Sequence, residues 1–317
     1  MVKILANDGM AQEGIDLLEK EGFEVKTTHV AHEQLANYIN KNKITGLLVR
    51  SATKVDKKIM DECPDLKLIG RGGVGMDNID VAHAESKGII VFNTPEASSE
   101  SVAELVFAHL LNGVRFLHDA NRHMPLEGDS QFKQLKKSYA AGVELRGKTL
   151  GIVGFGRIGQ ATARMALALG MEVLFTDHTT KEAIISIPFF DGRSIEFKLQ
   201  SIELKEVLSQ SDFVSLHVPS QENYVIGKKE LGLMKPGSGI INTSRGGVLD
   251  EVALVEALDN GHLAFAGLDV FESEPKPEIQ ILMNPKISLS PHIGGSTIEA
   301  QQRIGLELAQ KVINSLK

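Results

Sequence analysis

The chain has 317 residues, 42% of them apolar and 24% charged, with a net charge of −7; at roughly 100–200 residues per domain this length predicts two domains, each with its own core. The acidic balance speaks against a non-specific nucleic-acid binder, which needs clustered Lys and Arg. The single cysteine, Cys63, excludes an internal disulfide and a cysteine-based metal cluster, and it fits a reducing compartment.

The opening Met1–Gly9 carries no signal-peptide pattern, and no apolar run reaches the length of a membrane span, so a cytoplasmic protein is expected. The first short apolar runs are Val2–Ala6, Gly46–Val49, Leu66–Gly70 and Ile89–Phe92. Each is rich in Ile, Val and Leu, as strands buried on both faces are. Between them Glu13–Glu21, His32–Asn40, Lys57–Glu62 and Asp80–Ser86 read as helices. Such β-α order predicts a parallel sheet covered by helices.

Thr94-Pro95 closes the last of these strands, and a helical pattern runs from Ser101 to Leu117. His118 to Gly142 is polar and less regular. The alternation restarts at Thr149–Val153, with further strands at Val173–Thr176, Phe213–His217, Gly239–Asn242, Ala264–Leu268 and Ile287–Ser290 and a last helix over Thr297–Ser315. Ile187–Lys198 differs: an Asp-Gly pair between two alternating arms signals a hairpin. It is expected as a small surface insertion in the second sheet. The expected fold is therefore α/β, with two doubly wound parallel-sheet domains, Rossmann-like or flavodoxin-like.

Leu150–Gly159, LGIVGFGRIG, opens the second of these α/β units. Gly154, Gly156 and Gly159 follow a strand and precede a helix, the context a dinucleotide-binding loop requires. The first glycine permits the turn, the second lets backbone approach a pyrophosphate, and the third lets helix and strand pack. The helix N-terminus, from Arg157 and Ile158, would face the phosphates with its N–H groups. Asp177 ends the next strand, 18 residues after Gly159. An acid about 20 residues beyond the loop binds a ribose 2′-hydroxyl and repels a 2′-phosphate, which favours NAD over NADP.

Three further stretches each follow an expected strand: Ile241–Glu251 (INTSRGGVLDE), Gly267–Pro275 (GLDVFESEP) and Leu289–Thr297 (LSPHIGGST). Together with the glycine loop they resemble the signature segments of the D-2-hydroxyacid dehydrogenases, and the resemblance runs from about Leu47 to about Gln310. It implies two domains with the active site in the cleft between them, and catalytic residues Arg245, Glu274 and His292. It places a nicotinamide-amide partner on Asp269 and further cofactor contacts on Val74, His217, Val218, Pro219, Thr243, Ser244, Gly294 and Gly295. No metal is implied. Histidine suits proton removal from a secondary alcohol because its unperturbed pKa is about 6.5. A neighbouring carboxylate orients the ring, and a guanidinium clamps a carboxylate with paired, charge-assisted bonds. Glu272 is the rival acid to Glu274, which the resemblance prefers because it precedes Pro275, where the family's catalytic Glu falls.

The amino-terminal half bears on substrate. Arg50, followed by Ser51, and Arg71, followed by Gly72 and Gly73, each stand at a strand end. Two such arginines suggest a second anion, and 3-phosphoglycerate carries both a carboxylate and a phosphate. With Asn93-Thr-Pro95 and Ser101–Glu104, these segments resemble the branch of the family that oxidises 3-phosphoglycerate on the phosphorylated route to serine. On that reading Arg245 and His292 serve the carboxylate and hydroxyl, and Arg50 and Arg71 the phosphate.

There are departures. Ser98 stands where many relatives have Asn, the chain has no Trp, and the hairpin insertion is not a general family feature. Because the chain ends at Lys317, regulation by serine through an added carboxy-terminal domain is not expected. The resemblance implies a discontinuous substrate domain, 1–97 plus 291–317, an NAD domain over 98–290, and a homodimer. Two other readings stay open: a reductase of unphosphorylated acids such as glyoxylate or hydroxypyruvate, and a non-catalytic NAD-sensing protein.

Overall fold

Short runs of branched apolar residues form the first parallel sheet. Its strands are β1 (Lys3–Ala6), β2 (Glu24–Lys26), β3 (Gly46–Val49), β4 (Leu68–Arg71) and β5 (Ile90–Asn93), in the order β2-β1-β3-β4-β5. The helices between them are α1 (Gln12–Lys20), α2 (His32–Asn42), α3 (Lys57–Glu62) and α4 (Val81–Ser86). Asp56 and Asp80 start α3 and α4 by accepting the N–H of Ile59 and His83 at 3.1 and 3.0 Å. Alternate residues feed two cores: Leu5, Leu47, Val49 and Ile69 on one face, Ile4, Ala6, Leu48 and Leu68 on the other. The second core is closed by the C-terminal helix (Ile298–Leu316), which crosses α1 where Gly14 meets Gly305.

The structure is a computed structural model that describes residues 1–316. Contacts divide the chain into Met1–Ser99 with the residues from Gly295 onward, and Glu100–Gly294. The sequence places these breaks at 97/98 and 290/291; they fall two and four residues later. As a consequence His292 belongs to the second unit, because Ile293 and Gly294 donate their N–H groups to Asp269 at 2.8 Å each.

The second unit opens with α5 (Ser99–Val114), α6 (Leu117–Glu127) and α7 (Phe132–Ser138). The last two occupy the stretch whose pattern looked irregular. No residue of α6 is buried, so its apolar residues follow no core-facing period. The sheet then begins: β6 (Thr149–Val153), α8 (Arg157–Ala168), β7 (Glu172–Thr176), the arms β8 (Glu182–Pro188) and β9 (Ser194–Gln200), α9 (Leu204–Gln210), β10 (Phe213–Leu216), α10 (Lys228–Leu231), β11 (Ser238–Asn242), α11 (Glu251–Asp259), β12 (Leu263–Leu268), α12 (Ile279–Leu282) and β13 (Ile287–Leu289). Six of these strands are parallel in the order β13-β12-β11-β10-β6-β7. Ligands bind in such sheets at the carboxyl ends of strands where the order reverses, here between β6 and β10.

The hairpin is longer than Ile187–Lys198 and forms its own antiparallel pair, with Ile185 opposite Phe197 and Ile187 opposite Ile195. A single bridge from Ser201 to Phe175 ties it to β7. Gly192 makes the turn at φ +84°.

Candidate active site

The glycine loop follows β6. Gly154 has φ +90°, and a Cβ there would lie 2.5 Å from the His217 carbonyl oxygen. A Cβ on Gly159 would lie 2.3 Å from the Gly154 oxygen, so α8 packs directly on the turn. A Cβ on Gly156 would meet nothing within 4 Å. The first and third glycines thus serve packing, and the second faces open space at a helix start, as a phosphate cradle does.

Asp177 stands beside the loop. Its carboxylate accepts the N–H of Phe155 at 2.6 Å and those of Thr179 and Thr180 at 2.8 Å each. Burial alone would raise its pKa, but these bonds outweigh it and hold the carboxyl down at about 2. The acid is therefore ionised at neutral pH.

Two buried polar atoms on the neighbouring strand ends have no protein partner among the described residues. One is the Thr243 hydroxyl and the other is Nδ1 of His217. Nε2 of His217 contacts the Ser215 hydroxyl at 2.9 Å, and burial pushes its pKa down to about 3, so the ring is neutral. Orphaned buried polar atoms cost stability unless a ligand meets them. Together with the open face at Gly156, they fit a dinucleotide.

The reaction residues lie on adjacent loops. Asn242, at the end of β11, accepts the N–H and hydroxyl of Ser244 at 3.0 and 2.8 Å, and donates to the Arg245 carbonyl at 2.8 Å. The turn carrying Arg245 is shaped by that one side chain. After β12, Glu274 accepts the Phe271 N–H at 3.0 Å with one oxygen and contacts Nδ1 of His292 at 2.8 Å with the other. With the Glu274 oxygen as acceptor, Nδ1 is the donor of this contact and Nε2 is left as the base.

His292 sits at φ +54°, a conformation few non-glycine residues adopt. Asp269 holds it there. The Asp269 carbonyl accepts the His292 N–H at 2.8 Å, and its carboxylate accepts the N–H of Ile293 and Gly294 and the Ser290 hydroxyl at 2.8, 2.8 and 2.6 Å. Ser290 in turn meets Nε2 of His109 at 2.9 Å. Asp269 is only 1% exposed. Its carboxylate is thus an anchor for the histidine loop, a role that sequence reasoning missed. The signal available was an acid immediately after a strand.

Val218 and Pro219 continue from His217 after β10, and Gly294 ends the second unit. The remaining candidates lie in the first unit. Arg50 and Arg71 stand on neighbouring strand ends, since Val49 is in register with Arg71. Asp8 fixes the Arg50 turn, accepting the N–H of Arg50 at 2.7 Å and of Thr53 at 3.1 Å. The N–H groups of Gly72 and Gly73 are engaged by the Val49 carbonyl and the Thr94 hydroxyl, at 2.8 and 2.7 Å. Gly73 instead supplies room, because a Cβ there would lie 1.6 Å from Nη1 of Arg71. Ser51 and Val74 are exposed, and Gly295 packs near Ser98.

Residues 107–294 match the family D-isomer specific 2-hydroxyacid dehydrogenase, NAD binding domain. The chain belongs to this family. Its second unit is the NAD-binding domain, and the chain is an NAD-dependent 2-hydroxyacid dehydrogenase by descent. It is 40% identical to a hydroxypyruvate reductase of Thermotoga maritima, over 99% of this chain and 98% of that one. It is 39% identical to a D-3-phosphoglycerate dehydrogenase of Methanocaldococcus jannaschii, over 100% of this chain and 58% of that one. Among solved structures, the TT0316 protein of Thermus thermophilus superposes with a TM-score of 0.85 at 31% identity, over 99% of this chain and 97% of that one. No described helix is long and apolar enough to cross a membrane.

Proposed function

We propose that the chain oxidises 3-phosphoglycerate to 3-phosphohydroxypyruvate, with His292 as base, Glu274 as its orienting partner and Arg245 as the carboxylate clamp. The observation that carries the chemistry is the 2.8 Å contact between His292 Nδ1 and Glu274, which leaves Nε2 free to take a proton. Nε2 accepts the proton of the substrate hydroxyl, and the new imidazolium is stabilised by the Glu274 carboxylate. Bound NAD would supply the hydride acceptor for the carbon that bears this hydroxyl. Its pyrophosphate is assigned to Gly154–Gly159, its ribose to Asp177, and its further contacts to Val74, His217, Val218, Pro219, Thr243, Ser244, Asp269, Gly294 and Gly295. Arg245 holds the substrate carboxylate and draws charge from the developing carbonyl.

The phosphorylated substrate rests on Arg50 and Arg71, which stand side by side on strand ends and would meet a dianion better than a neutral hydroxymethyl group. Ser51, Gly72 and Gly73 shape that turn pair. A second reading, reduction of hydroxypyruvate or glyoxylate, is favoured by the 40% identity to a hydroxypyruvate reductase.

The deciding experiment follows NADH formation at alkaline pH with a carbonyl trap, comparing 3-phosphoglycerate with glycerate, lactate and 2-hydroxyglutarate. We expect the phosphorylated acid to have the highest kcat/KM and Arg50→Ala to abolish that preference. Equal or better turnover of glycerate would move the protein to the second reading. His292→Ala is expected to lower kcat by about 10²-fold or more while NAD binding persists. Near-normal turnover would sink the base assignment.

A further inference from the structure

Adjacent strands fix where the two reaction loops begin but not where their side chains end. Arg245 leaves β11 and Glu274 leaves β12, and each lies several residues beyond its strand. Something must hold the loops against each other. Gly246 makes close approach possible, since a Cβ there would lie 1.9 Å from the Phe271 carbonyl oxygen. Across that contact two acids exchange bonds with each other's backbone. The Glu251 carboxylate accepts the Glu272 N–H at 2.8 Å, and the Glu272 carboxylate accepts the Glu251 N–H at 3.0 Å. The second oxygen of Glu272 accepts the Tyr224 hydroxyl at 3.1 Å. Tyr224 belongs to the segment after β10, which joins the Arg245 loop where Val225 and Ile226 donate to the Val248 carbonyl at 2.9 and 3.1 Å.

We propose that Glu251 and Glu272 are positioning residues that clamp the Arg245 loop to the Glu274 loop by exchanging carboxylate–amide hydrogen bonds. Glu272 is two residues before Glu274, and the Phe271 N–H that Glu274 accepts lies on the same turn. The clamp therefore sets the distance between the guanidinium and the His292–Glu274 pair. It also explains why two acids stand so close in the Glu-Ser-Glu sequence. Glu274 turns toward His292, and Glu272 turns away to the neighbouring loop. Burial and the charges of Glu272, Glu278 and Glu274 raise the pKa of Glu251, so the contact is held despite an electrostatic cost. The carboxylates acting on Glu251 are Glu272, Glu278 and Glu274, and Tyr224 donates its hydroxyl to Glu272.

The proposal rests on Arg245, Glu274 and His292 acting as stated above, and the test separates the two claims. Steady-state turnover, the NAD dissociation constant and melting temperature are measured for wild type, Glu272→Ala, Glu272→Gln, Tyr224→Phe and His292→Ala. Misplacing a reacting group by about 1 Å costs up to about 100-fold in rate. Glu272→Ala is expected to lower kcat about tenfold, with the NAD dissociation constant within about twofold of wild type. Glu272→Gln keeps an acceptor oxygen for the Glu251 N–H and is expected to recover most of the loss. If Glu272→Ala does not fold, Tyr224→Phe carries the test through the lost third bond, with kcat down about two- to threefold at unchanged NAD affinity. Full kcat in Glu272→Ala, or equal losses in the Ala and Gln variants, overturns the clamp while the catalytic reading stands. Normal turnover in His292→Ala overturns the reading on which the clamp rests.

Discussion

Glu251 shows how one residue can be useful and costly together. It is 5% exposed, and its pKa is raised, first by burial and then by neighbouring carboxylates. A carboxyl whose folded pKa lies above its unfolded value favours the fold fully only at pH below the unfolded value. That contribution is lost as pH rises through the folded pKa. Above its folded pKa the ionised Glu251 therefore opposes folding. Glu251→Gln keeps the acceptor for Glu272 and removes the charge. It should melt at higher temperature than wild type at pH values where wild-type Glu251 is ionised, and the difference should close as pH falls toward 4. Thermal melts across that range check this, and an unchanged gap at pH 4 would contradict it.

The same residue marks the limit of what the sequence reveals at this scale. Arg245, Glu274 and His292 were named through the family resemblance of their motifs, and Glu274 lies 2.8 Å from Nδ1 of His292. Glu251 and Glu272 stand in those motifs too, but their task is reciprocal, and neither position alone signals it. Asp269 was named only through the family resemblance, as a nicotinamide-amide partner. Its grip on a left-handed His292 depends on a backbone angle that no residue type announces.

At the scale of elements, the sheets were readable wherever strands are buried on both faces. β3, β6, β10 and β11 have every residue buried. β2 escaped notice because it is a three-residue edge strand, Glu-Val-Lys, with no buried residue. The hairpin was visible by its Asp-Gly turn, yet its length was not. Its arms extend to Glu182 and Gln200 because Ile185, 2% exposed, packs among Phe155, Met171 and Phe175 of the NAD-domain core. The tip does the opposite, with Phe190 wholly exposed. Ile185→Ala should therefore destabilise by about 2–4 kcal/mol, and Phe190→Ser should change stability by less than about 0.5 kcal/mol. Denaturant titration measures both. Similar losses at the two positions would mean that the hairpin is held by its tip.

At the scale of the whole molecule, the NAD-binding unit leaves several large apolar side chains uncovered. Leu117, Met124 and Leu126 of α6 are 55, 42 and 77% exposed, and Phe132 and Val143 nearby in sequence are 56 and 40% exposed. An 11-residue helix with no buried residue gains nothing from its own chain's core. A cavity of about 490 Å³ lined by Val114, Phe116, Val143, Phe213 and Phe265 opens at the foot of the same helix. Where such residues join into a contiguous patch, an interface covers them. The family resemblance already pointed to the helix from Ser101 and the loop after it as a dimer region. The expected partner is a second copy of the chain, meeting across a two-fold axis as most homo-oligomers do. Sedimentation equilibrium should give twice the chain mass. Leu126→Glu should shift the equilibrium toward one chain. If the wild-type protein sediments as a single chain at micromolar concentration, α6 faces water, and its apolar residues need a different partner.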